Sequence, residues 1–185
     1  MLKYYGNFQG VDWAALVESL KSQQPAYVGP RHRANDEKAP GVNEVAGVWE
    51  SAGYKTIDKG GNATWDMFIP DTNFDREIVH KFINFVGLDG YTNAWVSRIN
   101  PGCVAPWHWD VTDNETTLSS QSAVRYHCHI QSPAEIVGHT LIVEDTCLYN
   151  QAPGETYLWS DRKAWHGGAN CGFEPMYLFN VWYSK

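Results

Sequence analysis

The stretch after Gly90 constrains the fold most. "TNAWVSRI", "AVRYHCHIQ", "GHTLIVED", "GETYLWSD" and "MYLFNVWYSK" all alternate with a period of two, as strands do when successive side chains point to opposite faces. In the first of them Asn93, Trp95 and Ser97 share one face, and Ala94, Val96 and Arg98 share the other. Turn signals separate the runs: Pro101-Gly102, Gly138, Pro153-Gly154, Gly167-Gly168 and Glu174-Pro175. Two earlier segments read as helices. "VDWAALVESLK" sets Val11, Ala14, Ala15 and Leu16 roughly along one face with Asp12 near its start, and "FDREIVHKFINFVG" spaces Ile78, Phe82, Phe85 and Val86 helically and stops at Gly87. Helices first, then short strands at turn spacing, predict an antiparallel sandwich or jelly roll fronted by helices.

At 185 residues the chain predicts one domain, helical over 1–90 with a jelly-roll core over 91–185. No apolar run approaches the roughly 20 residues of a membrane span, and "MLKYYGNFQG" lacks the pattern of a secretory leader. A cytoplasmic protein without a membrane partner is the expectation. A net charge of −7, with scattered basic residues, argues against nucleic acid. Small molecules or peptides are the expected partners. Cys103, Cys128, Cys147 and Cys171 form no CxxC pair, and they read as reduced thiols, mostly buried.

The candidate chemistry begins in "PGCVAPWHWDVTDNE". In an extended segment His108 and Asp110 point the same way, so both can reach one point. Chance supplies such a pair often, and a third ligand is needed to make it informative. His166, in "LWSDRKAWHGGAN", follows a strand about 56 residues after Asp110, a spacing that lets a jelly roll bring it back beside the pair. Two imidazoles and one carboxylate form the facial triad that binds ferrous iron with positions left open. The plainer alternative is a histidine hydrogen-bonded in an aromatic rim. "RYHCH" puts Arg125, His127 and His129 on one strand face. Inside a barrel these groups are costly unless something anionic meets them. Otherwise that face is the solvent side, with Tyr126 and Cys128 inward.

The ordered combination of Ser97, Pro101-Gly102, His108-x-Asp110, Arg125-x-His127, "PGETYLWSDRKAWHGGAN" and "NVWY" resembles the aspartyl/asparaginyl β-hydroxylase family of iron- and 2-oxoglutarate-dependent oxygenases. It covers about 90 residues, from Trp95 to Tyr183. The resemblance implies a cupin-like double-stranded β-helix with Fe(II) on His108, Asp110 and His166. It also implies 2-oxoglutarate as cosubstrate, held with the help of Ser97, Arg125 and His127. O2 and an amino-acid, aspartyl/asparaginyl or related carboxylated substrate would complete a hydroxylation. Animal members carry glycine where this chain has Asp110. The family's usual arginine for the far carboxylate of 2-oxoglutarate falls at Met176 here, which leaves Arg125, and after it Arg98, for that role. Two alternatives stand beside this reading: a cupin-like metal enzyme that does not use 2-oxoglutarate, and a non-catalytic β-sandwich binding module whose tryptophans stack on a ligand.

Overall fold

The structure, a computed structural model, describes residues 2–28, 66–91, 93–108, 123–132, 134–135, 137–160 and 164–184, with backbone alone at 106–108, 123 and 184. Asp110 lies outside the described residues, as does the charged stretch "GPRHRANDEKAPG" with Arg31, His32 and Arg33. In chain order the strands are β1 (Lys3–Asn7), β2 (Tyr27–Val28), β3 (Asp66–Phe68), β4 (Asn93–Ile99), β5 (Val104–His108), β6 (Ala123–His129), β7 (His139–Val143), β8 (Thr146–Leu148), β9 (Glu155–Trp159), β10 (His166–Asn170) and β11 (Met176–Ser184). The helices are α1 (Trp13–Lys21) and α2 (Glu77–Val86).

A seven-stranded sheet runs β1-β9-β6-β11-β4-β3-β2, and a four-stranded sheet runs β5-β10-β7-β8. Every ladder in both is antiparallel. This is the double-stranded β-helix, with the helices on the outer face of the larger sheet. Two apolar clusters separate the three layers. Helix residues Leu16, Val17, Leu20, Val79 and Phe82 pack against Val96, Tyr126, Cys128 and Phe179. Ile99, Met176 and Leu178 pack against Leu141, Val143 and Leu148 across the two sheets. The larger sheet is therefore buried on both sides, so Tyr126 and Cys128 are buried without His127 and His129 facing water.

Local chemistry sets the helix ends. The Asp12 side chain accepts from Ala15 N at 3.0 Å, satisfying a first-turn donor of α1. Gly87 takes the left-handed conformation, φ 71°, and Leu88 N donates to Ile83 O at 2.9 Å, which closes α2. The inward face of α1 is Trp13, Leu16, Val17 and Leu20, and Ala14 and Ala15 are exposed. That corrects the face expected from sequence: the large Trp13 takes the core, and small alanines give little area to bury.

Gly167 and Gly168 are a second correction. They lie inside β10 and form no turn. A Cβ on Gly168 would stand 3.1 Å from Ile99 Cδ1 and 3.3 Å from Thr140 O. Glycine here admits a close approach between the sheets. The cysteines also differ from expectation: all four are free, but Cys147 and Cys171 are exposed and Cys103 is half-buried. Only Cys128 is buried, and burial pushes its thiol up to about 12.

Gly154 joins three strands. Its carbonyl accepts from Phe8 N at 2.8 Å, and its N–H donates to His129 O at 2.8 Å. Its φ is +90°, and an added Cβ would collide with Asn7 Oδ1 and Phe8 O. Gly154→Ala is expected to cost about 2 kcal/mol in urea unfolding, within the range for a strained backbone position. Gly90→Ala, with nothing within 4 Å of its Cβ, is expected to stay within about 0.5 kcal/mol.

Candidate active site

β6 lies between β9 and β11 in the middle of the larger sheet, and its inward row is Arg125, His127 and His129. The direct neighbours set each environment. Arg125 is opposite Trp159 and Trp182, His127 opposite Tyr157 and Asn180, and His129 opposite Leu178. The Arg125 guanidinium lies 5.0 Å from the Trp95 ring centroid and 5.3 Å from that of Trp159, so two indoles flank it.

β10 and β5 supply the other side. His166 and His108 are direct cross-strand partners, and the register shifts between His166 and Gly168. The His108 side chain is not described. His166 is buried, and its Nδ1 lies 3.0 Å from Ala164 O. A carbonyl only accepts, so Nδ1 carries the hydrogen and Nε2 keeps its lone pair. That is the tautomer a metal-binding imidazole needs. Arg125 Nη1, a donor, sits 2.8 Å from the same Nε2. Among the described residues no three His, Cys, Asp or Glu side chains converge as a metal cluster.

One layer deeper the site is polar and neutral. Neither ring nitrogen of His127 has a hydrogen-bond partner, nor does Oδ1 of Asn180. Asn180 Nδ2 donates to Ser97 Oγ at 3.1 Å and to Leu178 O at 2.9 Å, and Trp95 Nε1 donates to Ser97 Oγ at 2.9 Å. Buried Asn180 and His127, with half-buried Ser97, thus lie together beneath Arg125. Burial holds His127 well below the usual imidazole range, and Arg125, His129 and His166 lower it further. Burial first, and His139 second, bring His129 down to about 3.

Asn180 was legible in the sequence only as an amide on the same strand face as Met176 and Leu178, amid apolar neighbours. Arg98 is placed away from this site. It lies on the helix side of β4, with Nε and Nη2 at 2.7 and 2.6 Å from Asp66 Oδ2 and its guanidinium over Phe68. The second candidate for the cosubstrate carboxylate is therefore committed elsewhere. Met176 is buried at the far end, where it lines a cavity of about 10 Å³ with His129, Gln131, His139 and Leu141. That volume suits one water.

No family model matches the chain, and no curated protein matches it. Solved structures do. A prolyl hydroxylase from Trichoplax adhaerens, in complex with a hypoxia inducible factor oxygen degradation domain peptide fragment, matches with a TM-score of 0.51 at 14% identity, covering 98% of this chain and 82% of that one. AviO1 from Streptomyces viridochromogenes Tue57 matches with a TM-score of 0.50 at 12% identity, covering 100% and 89%. A Pseudomonas putida prolyl-4-hydroxylase matches at 13% identity with a TM-score of 0.48, covering 98% and 91%. At these identities the likeness to the first two shows the jelly-roll fold alone. Among the described residues no helix is long and apolar enough to cross a membrane.

Two outcomes follow from these placements. Arg98→Ala strands the buried Asp66 carboxylate and is expected to cost about 3–5 kcal/mol of stability, read by urea unfolding, without changing ligand binding in the barrel. The second concerns acid. An unfolded imidazole titrates near 6.5, but folded His129 titrates at about 3. Between those values the unfolded chain holds the extra proton, so stability is whole above pH 6.5 and is lost as pH falls. The loss is about 1.4 kcal/mol per pH unit. His129→Gln is expected to reduce the stability lost between pH 7 and pH 5 by about 2 kcal/mol.

Proposed function

We propose that this chain is a non-haem iron oxygenase that uses 2-oxoglutarate and O2 to hydroxylate an amino-acid, aspartyl/asparaginyl or related carboxylated substrate. The observation that carries the reading is His166: directly opposite His108, with its Nδ1 hydrogen tied to Ala164 O and its Nε2 turned toward Arg125. The donor set fits a ferrous site in which His108 and Asp110, two apart, and His166 are the ligands. Iron carrying a 2-oxo acid supplies the power to activate O2, and the protein supplies binding, orientation and dryness.

The protein's own groups have distinct parts in that arrangement. Arg125 is the fixed cation that the described barrel interior offers to a carboxylate. Trp95 and Trp159 flank it with aromatic surface. His127 and Asn180 present unused hydrogen-bonding atoms one layer below, and Ser97 positions the Asn180 amide. Unpartnered polar atoms in so dry a place are expensive unless a ligand meets them. Their presence supports a polar cosubstrate at this depth.

A cupin-like metal enzyme without 2-oxoglutarate is the second reading. Met176 favours it, because it is buried where the resemblance would place an arginine. The test is succinate release from 2-oxoglutarate by the Fe(II)-loaded protein, with and without a panel of amino acids and peptides. Peptides belong in that panel because the Trichoplax enzyme was solved with one. Substrate-stimulated succinate is the expected result, and none with any substrate promotes the second reading. In a direct titration, Arg125→Ala is expected to weaken 2-oxoglutarate binding at least tenfold, about 1.4 kcal/mol, because a carboxylate in a nearly dry pocket loses its cation. Unchanged affinity would remove Arg125 from the role.

A further inference from the structure

Hydrogen bonding fixes what His166 can do. With the Nδ1 hydrogen given to Ala164 O at 3.0 Å, the imidazole has one lone pair left, on Nε2. Arg125 Nη1, at 2.8 Å, donates into that lone pair. A coordinated metal would use the same lone pair in the same direction. The two uses exclude each other sterically, electronically and by charge, since a guanidinium and a metal dication repel.

We propose that Arg125 and a metal ion compete for Nε2 of His166, so that metal loading turns the guanidinium from the imidazole toward an anionic ligand. This rests on reading His166 as a metal ligand. The surroundings suit a group with two positions. The indoles of Trp95 and Trp159, at 5.0 and 5.3 Å, give the guanidinium two aromatic contacts besides its bond to His166. Beneath it, His127 and Asn180 bring neutral polar atoms and no second fixed cation. A carboxylate arriving beside the metal therefore draws on Arg125, and the donor withdrawn from His166 is available for it. Arg125 thus makes metal affinity and carboxylate affinity depend on each other, by the same factor in both directions.

The ordinary expectation is that losing an active-site arginine weakens or leaves unchanged the binding of everything nearby. Competition predicts a gain. In Co(II) titrations of the full chain against a chromophoric chelator, Arg125→Met is expected to bind Co(II) about tenfold more tightly than the parent. Arg125→Lys, which keeps the charge and most of the stem, should fall between the two and serves if the methionine variant does not fold. Glutarate, a dicarboxylate without the chelating oxo group, gives a second readout. Its affinity should rise on Zn(II) loading of the parent, and that ratio should shrink in the variant, whereas merely structural damage would lower both affinities and leave the ratio. Co(II) binding in both variants no tighter than in the parent overturns the competition. If the parent and His166→Ala bind Co(II) alike, the metal reading itself fails, which is a separate result.

Discussion

Keeping a guanidinium and a row of imidazoles inside a small barrel is the constraint on which this structure depends. Polar groups in a dry interior cost free energy unless something meets them, and β6 carries a guanidinium and two imidazoles in succession on its inward face. The outward face of the same strand offsets this. Tyr126 and Cys128 are buried beneath α1 and α2 in a cluster that includes Phe82 and Phe179, and Phe82 meets both Tyr126 and Phe179 edge to face. Helix packing on one side of the sheet thus supports polar residues on the other. The N-terminal helices are what allow the larger sheet to carry a site at all.

Much of this was legible because period-two alternation is local. The face shared by Trp95 and Ser97, and the opposite direction of Arg98, can be read from β4 alone. So can the common face of Arg125, His127 and His129. Partners are not local. Nothing near Arg98 in the chain announces Asp66, 32 residues earlier and joined to it only once β3 pairs with β4. Nor does sequence show that both faces of β6 are buried, which removes the choice between a solvent face and a core face. Gly167-Gly168 misleads for a related reason: a glycine pair signals a turn unless another element approaches closely, and Ile99 does so from the opposite sheet.

The likeness to solved jelly rolls and the resemblance in motif support different links of the argument. Structural neighbours at 12–14% identity fix how the strands are wound but not what the barrel holds. The resemblance proposes the residues, and the register then brings two of them, His108 and His166, face to face across β5 and β10. A winding shared by unrelated functions would place some pair of residues there in any case. The added weight comes from the imidazole's own hydrogen bond, which presents the nitrogen a metal would need.

Along the barrel axis the polarity falls in steps. Arg125 is half-buried and charged, His127 and Asn180 below it are buried and neutral, and the far layer is Ile99, Met176 and a Gln131 whose amide is already bonded to Pro175 O and Tyr177 N. A guanidinium at position 176 would add a second fixed charge at the deepest point, and methionine leaves that layer without one. Among the described residues, an entering anion therefore meets a fixed countercharge at Arg125, near His166, and neutral dipoles beyond it. Ligands whose charge is concentrated at the His166 end suit this gradient better than those that must carry a second charge to the floor. With Met176 on the floor, the charge in this gradient sits at Arg125.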